Sequence, residues 1–280
     1  MGRQFNCRPN ELHTMKTCTV NGIKLAFVDQ GSGTVVLFVH GFPLDHSMWN
    51  GQIDMLSVRH RVIAPDLRGF GQSGVTESVV TMEQFADDLA ALLDFLTIRQ
   101  PVVLCGLSMG GYIAFEFWRK YAARLQGLIL CDTRAANDTA EVAAGRLATA
   151  EKVLREGPRF IAETMIPKLF SPSTQQKRPD LLGSIRKVMD STDPRGIAAT
   201  ARGMAQRANF TRDLLNIRCP ALVLVGENDA ISPVAEMEAI ARAIPNARFT
   251  IIHDAGHLSP LEQPDAVNGA IESFLQEIRD

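Results

Sequence analysis

The chain has 280 residues, 46% of them hydrophobic and 21% charged, with a formal net charge of −2. That composition fits a soluble globular fold with ample length for a sizeable core, and it excludes collagen-like, low-complexity and charge-driven disordered chains. The near-neutral balance offers no broad basic surface for nucleic acid or an anionic membrane, and no apolar run approaches the roughly eighteen residues of a membrane span.

The opening segment is polar, with Arg3, Arg8, Pro9, Asn10 and Glu11, and it lacks the apolar stretch of a secretory signal. Residues 1–15 read as a disordered tail, or as an upstream extension if Met15 is the natural start. Two runs, Lys16–Val20 and Ile23–Val28, flank Asn21-Gly22, a dipeptide that favours a type I′ hairpin turn. Short apolar runs follow at Val35–Val39, Val62–Ala64, Val102–Cys105, Leu128–Cys131, Leu222–Val225 and Phe249–Ile252. Without alternation, runs of that length predict parallel strands buried on both faces. Helical periodicity separates most of them. Met82, Phe85, Leu89, Leu92, Leu93 and Leu96 keep a 3.6-residue period; so do Val267, Ala270, Ile271, Phe274, Leu275 and Ile278, after Pro264 at a first turn. Strands alternating with helices predict an α/β fold with a mostly parallel sheet, the hairpin adding antiparallel strands at one edge.

Residues 134–210 break this rhythm. They are Ala-rich and helix-patterned, punctuated by Gly157-Pro158, Pro167, Ser171-Pro172, Pro179 and Asp193-Pro194. They read as a helical cap inserted into a core made of residues 16–133 and 211–280. Five scattered cysteines make no disulfide framework, and neither C-x-x-C nor H-E-x-x-H occurs, so no metal or other cofactor is expected and the cytoplasm is the default location.

Gly106-Leu107-Ser108-Met109-Gly110 carries the chemistry. A G-x-S-x-G sequence between a strand-like run and a helix-like one is the context of a nucleophile elbow, in which small neighbours let a sharp turn expose the serine hydroxyl. A serine needs a base, and the base needs a partner that fixes its tautomer. His257 follows the Phe249–Ile252 run on a loop and is the candidate base; His60 and His253 read as structural. For the acid, Asp229 follows the Leu222–Val225 run, with Asp132, after Leu128–Cys131, as its competitor; Asp254 reads as a turn former. The order Ser108, Asp229, His257 matches a strand–elbow–helix hydrolase. An oxyanion hole needs two backbone N–H donors. Met109 supplies one, and Phe42 in His40-Gly41-Phe42-Pro43 the other, because Pro43 has none. A substrate pocket is expected between the cap and the loop bearing Phe42, with Leu44, Trp49, Met165, Phe170 and Met204 as lining residues.

His40-Gly41, Asp66-Leu67-Arg68-Gly69-Phe70-Gly71-Gln72-Ser73, Gly106-Leu107-Ser108-Met109-Gly110-Gly111, Gly226-Glu227-Asn228-Asp229 and Gly256-His257 together resemble the α/β-hydrolase superfamily. The resemblance covers nearly everything after the tail and is weakest over the cap. It implies an eight-stranded, mostly parallel sheet with a helical cap after the sixth strand. It also implies that Asp66–Ser73 is a structural loop. Within the superfamily the chain looks most like small carboxylesterases, 3-oxoadipate enol-lactonases and cofactor-free haloperoxidases. Relatives that cleave carbon–halogen bonds or epoxides use an aspartate at the elbow, where this chain has Ser108. The expected activity is cleavage of small esters or lactones through an acyl-enzyme on Ser108, with a small-molecule substrate and neither nucleic acid nor membrane as partner. Perhydrolysis, C–C bond hydrolysis, and a signalling protein that binds a small ligand and keeps the triad are the alternatives. The sequence leaves the oligomeric state open.

Overall fold

Asn21 and Gly22 both adopt positive φ, 46° and 72°, as a type I′ turn requires, and they close a hairpin of β1 (Met15–Val20) and β2 (Ile23–Gly31). This is seen in a computed structural model that describes residues 13–278. Most of the expected tail therefore lies outside the described residues. Its last part is a correction to the sequence reading: Met15 pairs with Val28 in the sheet, and the His13 ring meets Gln30 Oε1 at 3.0 Å.

Six further strands complete one sheet: β3 (Val35–Val39), β4 (Arg61–Pro65), β5 (Val102–Leu107), β6 (Leu125–Cys131), β7 (Ala221–Gly226) and β8 (Arg248–Ile252). Their order is β1-β2-β4-β3-β5-β6-β7-β8. β1 and β2 are antiparallel to their neighbours, and every pairing from β4 through β8 is parallel. Alternate residues serve two cores. Val35, Leu37, Val39, Val102 and Leu104 face one side, against α2 (Met82–Phe95) and α3 (Met109–Tyr121). Val36, Phe38, Val103, Cys105 and Leu107 face the other, against α1 (Asn50–Leu56) and a C-terminal helix over Pro264–Glu277. Strands covered on both faces have no polar side to show, which is why they read as unbroken apolar runs. β8 departs from that expectation. It lies at the sheet edge, and Ile251 keeps 36% exposure.

Between β6 and β7 the chain inserts α4 (Ala140–Glu156), α5 (Arg159–Leu169), α6 (Pro172–Lys177), α7 (Pro179–Ser191) and α8 (Pro194–Met204). Pro172, Pro179 and Pro194 occupy first turns, where the missing N–H costs no helical bond. Ser171 Oγ accepts the Thr174 N–H, and Asp193 Oδ1 accepts the Arg195 N–H, so two of these starts are also side-chain capped. Pro167 is different from its reading as a break: it lies inside α5, two residues before the helix ends. The remaining helices are α9 (Val234–Ala243), α10 (Ser259–Glu262) and α11, the Pro264–Glu277 helix. No helix among the described residues is long and apolar enough to cross a membrane.

Candidate active site

Ser108 stands between the last residue of β5 and the first of α3, with φ 54° and ψ −112°. A non-glycine residue in such a conformation costs about 1–3 kcal/mol and persists only where its surroundings impose it. Here they do. The Ser108 N–H bonds to Cys131 C=O at 2.9 Å, and its own C=O accepts Gly111 N–H at 2.9 Å and Thr133 Oγ at 2.7 Å. The flanking glycines are required by space, since a Cβ on Gly106 would run into the Gly110 carbonyl and one on Gly110 into Val39 C=O.

The His257 loop follows β8, and Asp229 follows β7. Asp229 is fixed first. Its Oδ1 accepts the N–H groups of Ile231 (2.7 Å) and Ser232 (2.9 Å), which turns Oδ2 toward His257 Nδ1 at 2.8 Å. His257 Nε2 then lies 2.9 Å from Ser108 Oγ. A carboxylate can only accept, so Nδ1 carries the ring proton and Nε2 presents its lone pair to the serine hydroxyl. The His257 and Asp229 side chains are 4% and 0% exposed, whereas Ser108 is half-buried, so the chain of bonds opens to the outside at the hydroxyl end.

Asp132 is not in that chain. Its carboxyl is spent on Gly226 N–H at 2.8 Å and Ser259 Oγ at 2.5 Å. Burial, and after it the charge of nearby Asp229, push it well above the usual carboxylate range. His60 is buried against Glu272 at 3.1 Å, and His253 is exposed.

The β3–α1 loop meets the elbow from the other side. A Cβ on Gly41 would touch Leu107 Cδ2 at 2.9 Å and Ser108 Cβ at 3.5 Å, so the backbone leading into Phe42 passes directly over Ser108. Met109 is the first residue of α3, where N–H groups have no intrahelical acceptor. His40 fixes the loop. Its Nε2 accepts Leu67 N–H at 3.0 Å, so Nδ1 carries the proton and donates to Gly41 C=O at 2.9 Å. Burial lowers its pKa, in keeping with a neutral ring. The Asp66–Ser73 segment is bound inward as well: Arg68 pairs with buried Asp88 at 2.7 Å, and Ser73 Oγ donates to Asp66 C=O at 2.5 Å. Asp45, His46 and Asp66 bring potential metal ligands within 4.8 Å of one another. Their atoms are committed to protein groups, however: Asp66 accepts His46 Nδ1 (2.6 Å) and Gln72 N–H (2.8 Å), and Asp45 accepts Ser47 N–H (2.9 Å).

The expected pocket residues scatter. Trp49 is fully buried against Phe38, with ring centroids 4.7 Å apart, in the core layer beneath the sheet. Leu44 and Phe170 join that same core, and Met204 the opposite one, where Arg146 reaches its sulfur at 3.4 Å. These four are core packing, a correction to the pocket reading; an apolar side chain does not announce which face it covers. Met165 is partly exposed. With Phe42 and Phe160 it borders a third cluster built by Ala150, Val153, Ile161, Ile197, Ala198 and Ala201 of the inserted helices. Phe160 gave no sequence signal as a member of this cluster, because its partners there are spread along the chain. Thr133, whose hydroxyl braces the elbow, left no local signal either.

Residues 36–270 match the model of the alpha/beta hydrolase family. Among solved structures, a thermophilic esterase from Thermogutta terrifontis superposes with a TM-score of 0.92 at 53% identity, over 95% of this chain and 98% of that one. The enol-lactonase from Burkholderia xenovorans LB400 superposes at 0.87 with 30% identity, over 93% and 100%. In sequence, 3-oxoadipate enol-lactonase 1 of Acinetobacter baylyi is 28% identical over 272 residues, 96% of this chain and all of its own length. A family match over most of the chain, an eight-stranded sheet with only its hairpin edge antiparallel, and a serine elbow between β5 and α3 agree: the chain belongs to the alpha/beta hydrolase family.

Proposed function

We propose that the protein is a serine hydrolase of small carboxylic esters or lactones, with Ser108 as nucleophile, His257 as proton carrier and Asp229 as its orienting acid. The observation that carries this reading is the unbroken hydrogen-bonded chain from Asp229 Oδ2 through His257 to Ser108 Oγ. The named esterase and enol-lactonase relatives support the substrate class.

In this mechanism Ser108 Oγ attacks the substrate carbonyl carbon as its proton passes to His257 Nε2. Negative charge gathers on the carbonyl oxygen, where the Phe42 and Met109 N–H groups form the oxyanion hole. Collapse breaks the bond to the alkoxy oxygen, which takes the proton from Nε2 and leaves as an alcohol, or as the free end of an opened lactone. Water then repeats the sequence on the acyl-enzyme: Nε2 takes its proton, hydroxide adds to the acyl carbon, and Ser108 Oγ departs with that proton. Asp229 holds the ring and offsets its transient positive charge without taking the proton.

A fluorophosphonate probe followed by peptide mapping tests the assignment. Labelling confined to Ser108, together with steady turnover of a model acetate ester, is the expected result. Labelling elsewhere, or binding that raises Tm without turnover, would point instead to a ligand-binding protein.

A further inference from the structure

Glu262, at the end of α10, is a buried carboxylate that the mechanism above does not use. It is 5% exposed, and its two oxygens accept N–H groups from two segments, one six residues away and the other 91. Oε1 takes Gly256 N–H at 2.7 Å, the residue before His257. Oε2 takes Ser171 N–H at 2.8 Å, at the cap of α6 within the inserted helices. Hydrogen bonds to a charged acceptor are roughly twice as strong as neutral ones, so this bridge holds both strands of the contact firmly. Further links surround it. Leu258 N–H reaches Leu169 C=O at 3.2 Å, and Ser171 Oγ reaches Asp254 C=O at 3.1 Å. Gly256 lies so close to the same segment that a Cβ would come within 2.7 Å of Ser171 N.

The three residues of the hydrogen-bonded chain are therefore braced differently. Ser108 is held between β5, β6 and α3, and Asp229 by its own turn after β7. The His257 loop leans on the β7 loop on one side, through Asn228 N–H to Ala255 C=O at 2.8 Å, and on the α5–α6 turn on the other. We propose that Glu262 is a positioning residue that locks His257 to the α5–α6 turn, so that the ring is aligned with Ser108 only while the inserted helices are seated. This rests on the reading of His257 as proton carrier. Its consequence is that the inserted helices and the base move together, which links the seating of those helices to whether the proton can transfer.

Glu262→Gln keeps the shape but turns one acceptor into a donor facing an N–H. A displacement of about 1 Å at a catalytic group can cost about a hundredfold in rate, so kcat should fall about tenfold to a hundredfold, with KM within about threefold. The downfield His257 Nδ1 proton resonance expected of the unaltered protein should broaden or vanish in the folded variant. A merely structural glutamate would lower Tm and the number of phosphonate-titratable sites while leaving kcat per titrated site and the resonance in place; that result overturns the proposal. Should Glu262→Gln fail to fold, Glu262→Asp, which draws the carboxylate back by one methylene, is expected to show the same loss and is judged by the same criteria. Ser108→Ala assayed alongside separates the two levels. If it stays active, the underlying reading fails and this proposal with it; if it is dead while folded Glu262→Gln keeps kcat within about twofold, the positioning role alone is wrong.

Discussion

The parallel strands and the helices inserted between β6 and β7 are packed to different standards. Every residue of β3, β5 and β7 is buried. By contrast α4 buries only Ala150 and Val153 of its 17 residues and leaves Val142, Leu147 and Leu154 on the outside. Ser108, Asp229 and His257 all stand on loops leaving the strands, whereas the inserted helices bring Phe160, Met165 and the braced turn at Ser171. On the proposed mechanism the difference is a division of labour: the groups that carry the reaction sit on the rigid frame, and the more exposed apolar surface of α4 sits on the insert. Seven substitutions would break or sharpen that contrast.

The largest effect belongs to Ser108→Ala. Members of a catalytic triad act as a unit, so turnover of a model ester should drop about a millionfold. More than about one per cent residual activity in a pure sample would remove Ser108 from the chemistry.

Next come the two buried aspartates. Asp229→Asn can hold the wrong histidine tautomer, and in serine proteases the equivalent change costs about 10⁴ in kcat. Asp132→Asn should stay within about tenfold of the unaltered protein, because its side chain bonds to Gly226 N–H and Ser259 Oγ and not to His257, and an amide can bond both. The pH dependence has a definite sign. A carboxyl whose folded pKa is raised contributes most below its unfolded value of about 3.9 and loses that contribution as pH rises. The asparagine has no such proton to lose, so the Tm advantage of Asp132→Asn should grow from about pH 4 to about pH 8. A gap that narrows on the way up would mean that Asp132 is ionised in the folded protein.

Leu104→Ala, in the middle of β5 with no exposure, should destabilise by about 2–5 kcal/mol in denaturant unfolding. Phe160→Ala and Met165→Ala should act mainly on selectivity. They should reorder esters of different acyl length by about 1–3 kcal/mol in kcat/KM while sparing a small acetate ester. A uniform loss across all substrates would return both residues to simple packing. At the small end, Leu147→Gln on the open face of α4, where the leucine is 48% exposed, should change stability by no more than about 0.5 kcal/mol.

The frame was the legible part of the sequence. Doubly covered strands leave unbroken apolar runs, Asn21-Gly22 dictates its own turn, and the elbow demands small residues at Gly106 and Gly110, so local pattern and global position coincide. The residues that strand order singled out, Ser108, Asp229 and His257, are the ones the fold joins by hydrogen bonds. What failed to show depends on partners remote in sequence. Phe249–Ile252 looks buried as a string but lies at the sheet edge, because burial is decided by whether another strand follows. Trp49 and Met204 look like pocket residues until the layer they fill is known. Glu262 finds its second hydrogen-bond partner 91 residues away, a distance that leaves no trace in spacing.

Ser108 itself carries a last consequence. Its φ of 54° is one that glycine adopts freely and that serine resists. A glycine there would relieve the backbone and leave the sheet and helix around it as they are. On the proposed mechanism, a glycine there would gain backbone ease and lose turnover. On that mechanism stability and activity are opposed at this position by one dihedral angle.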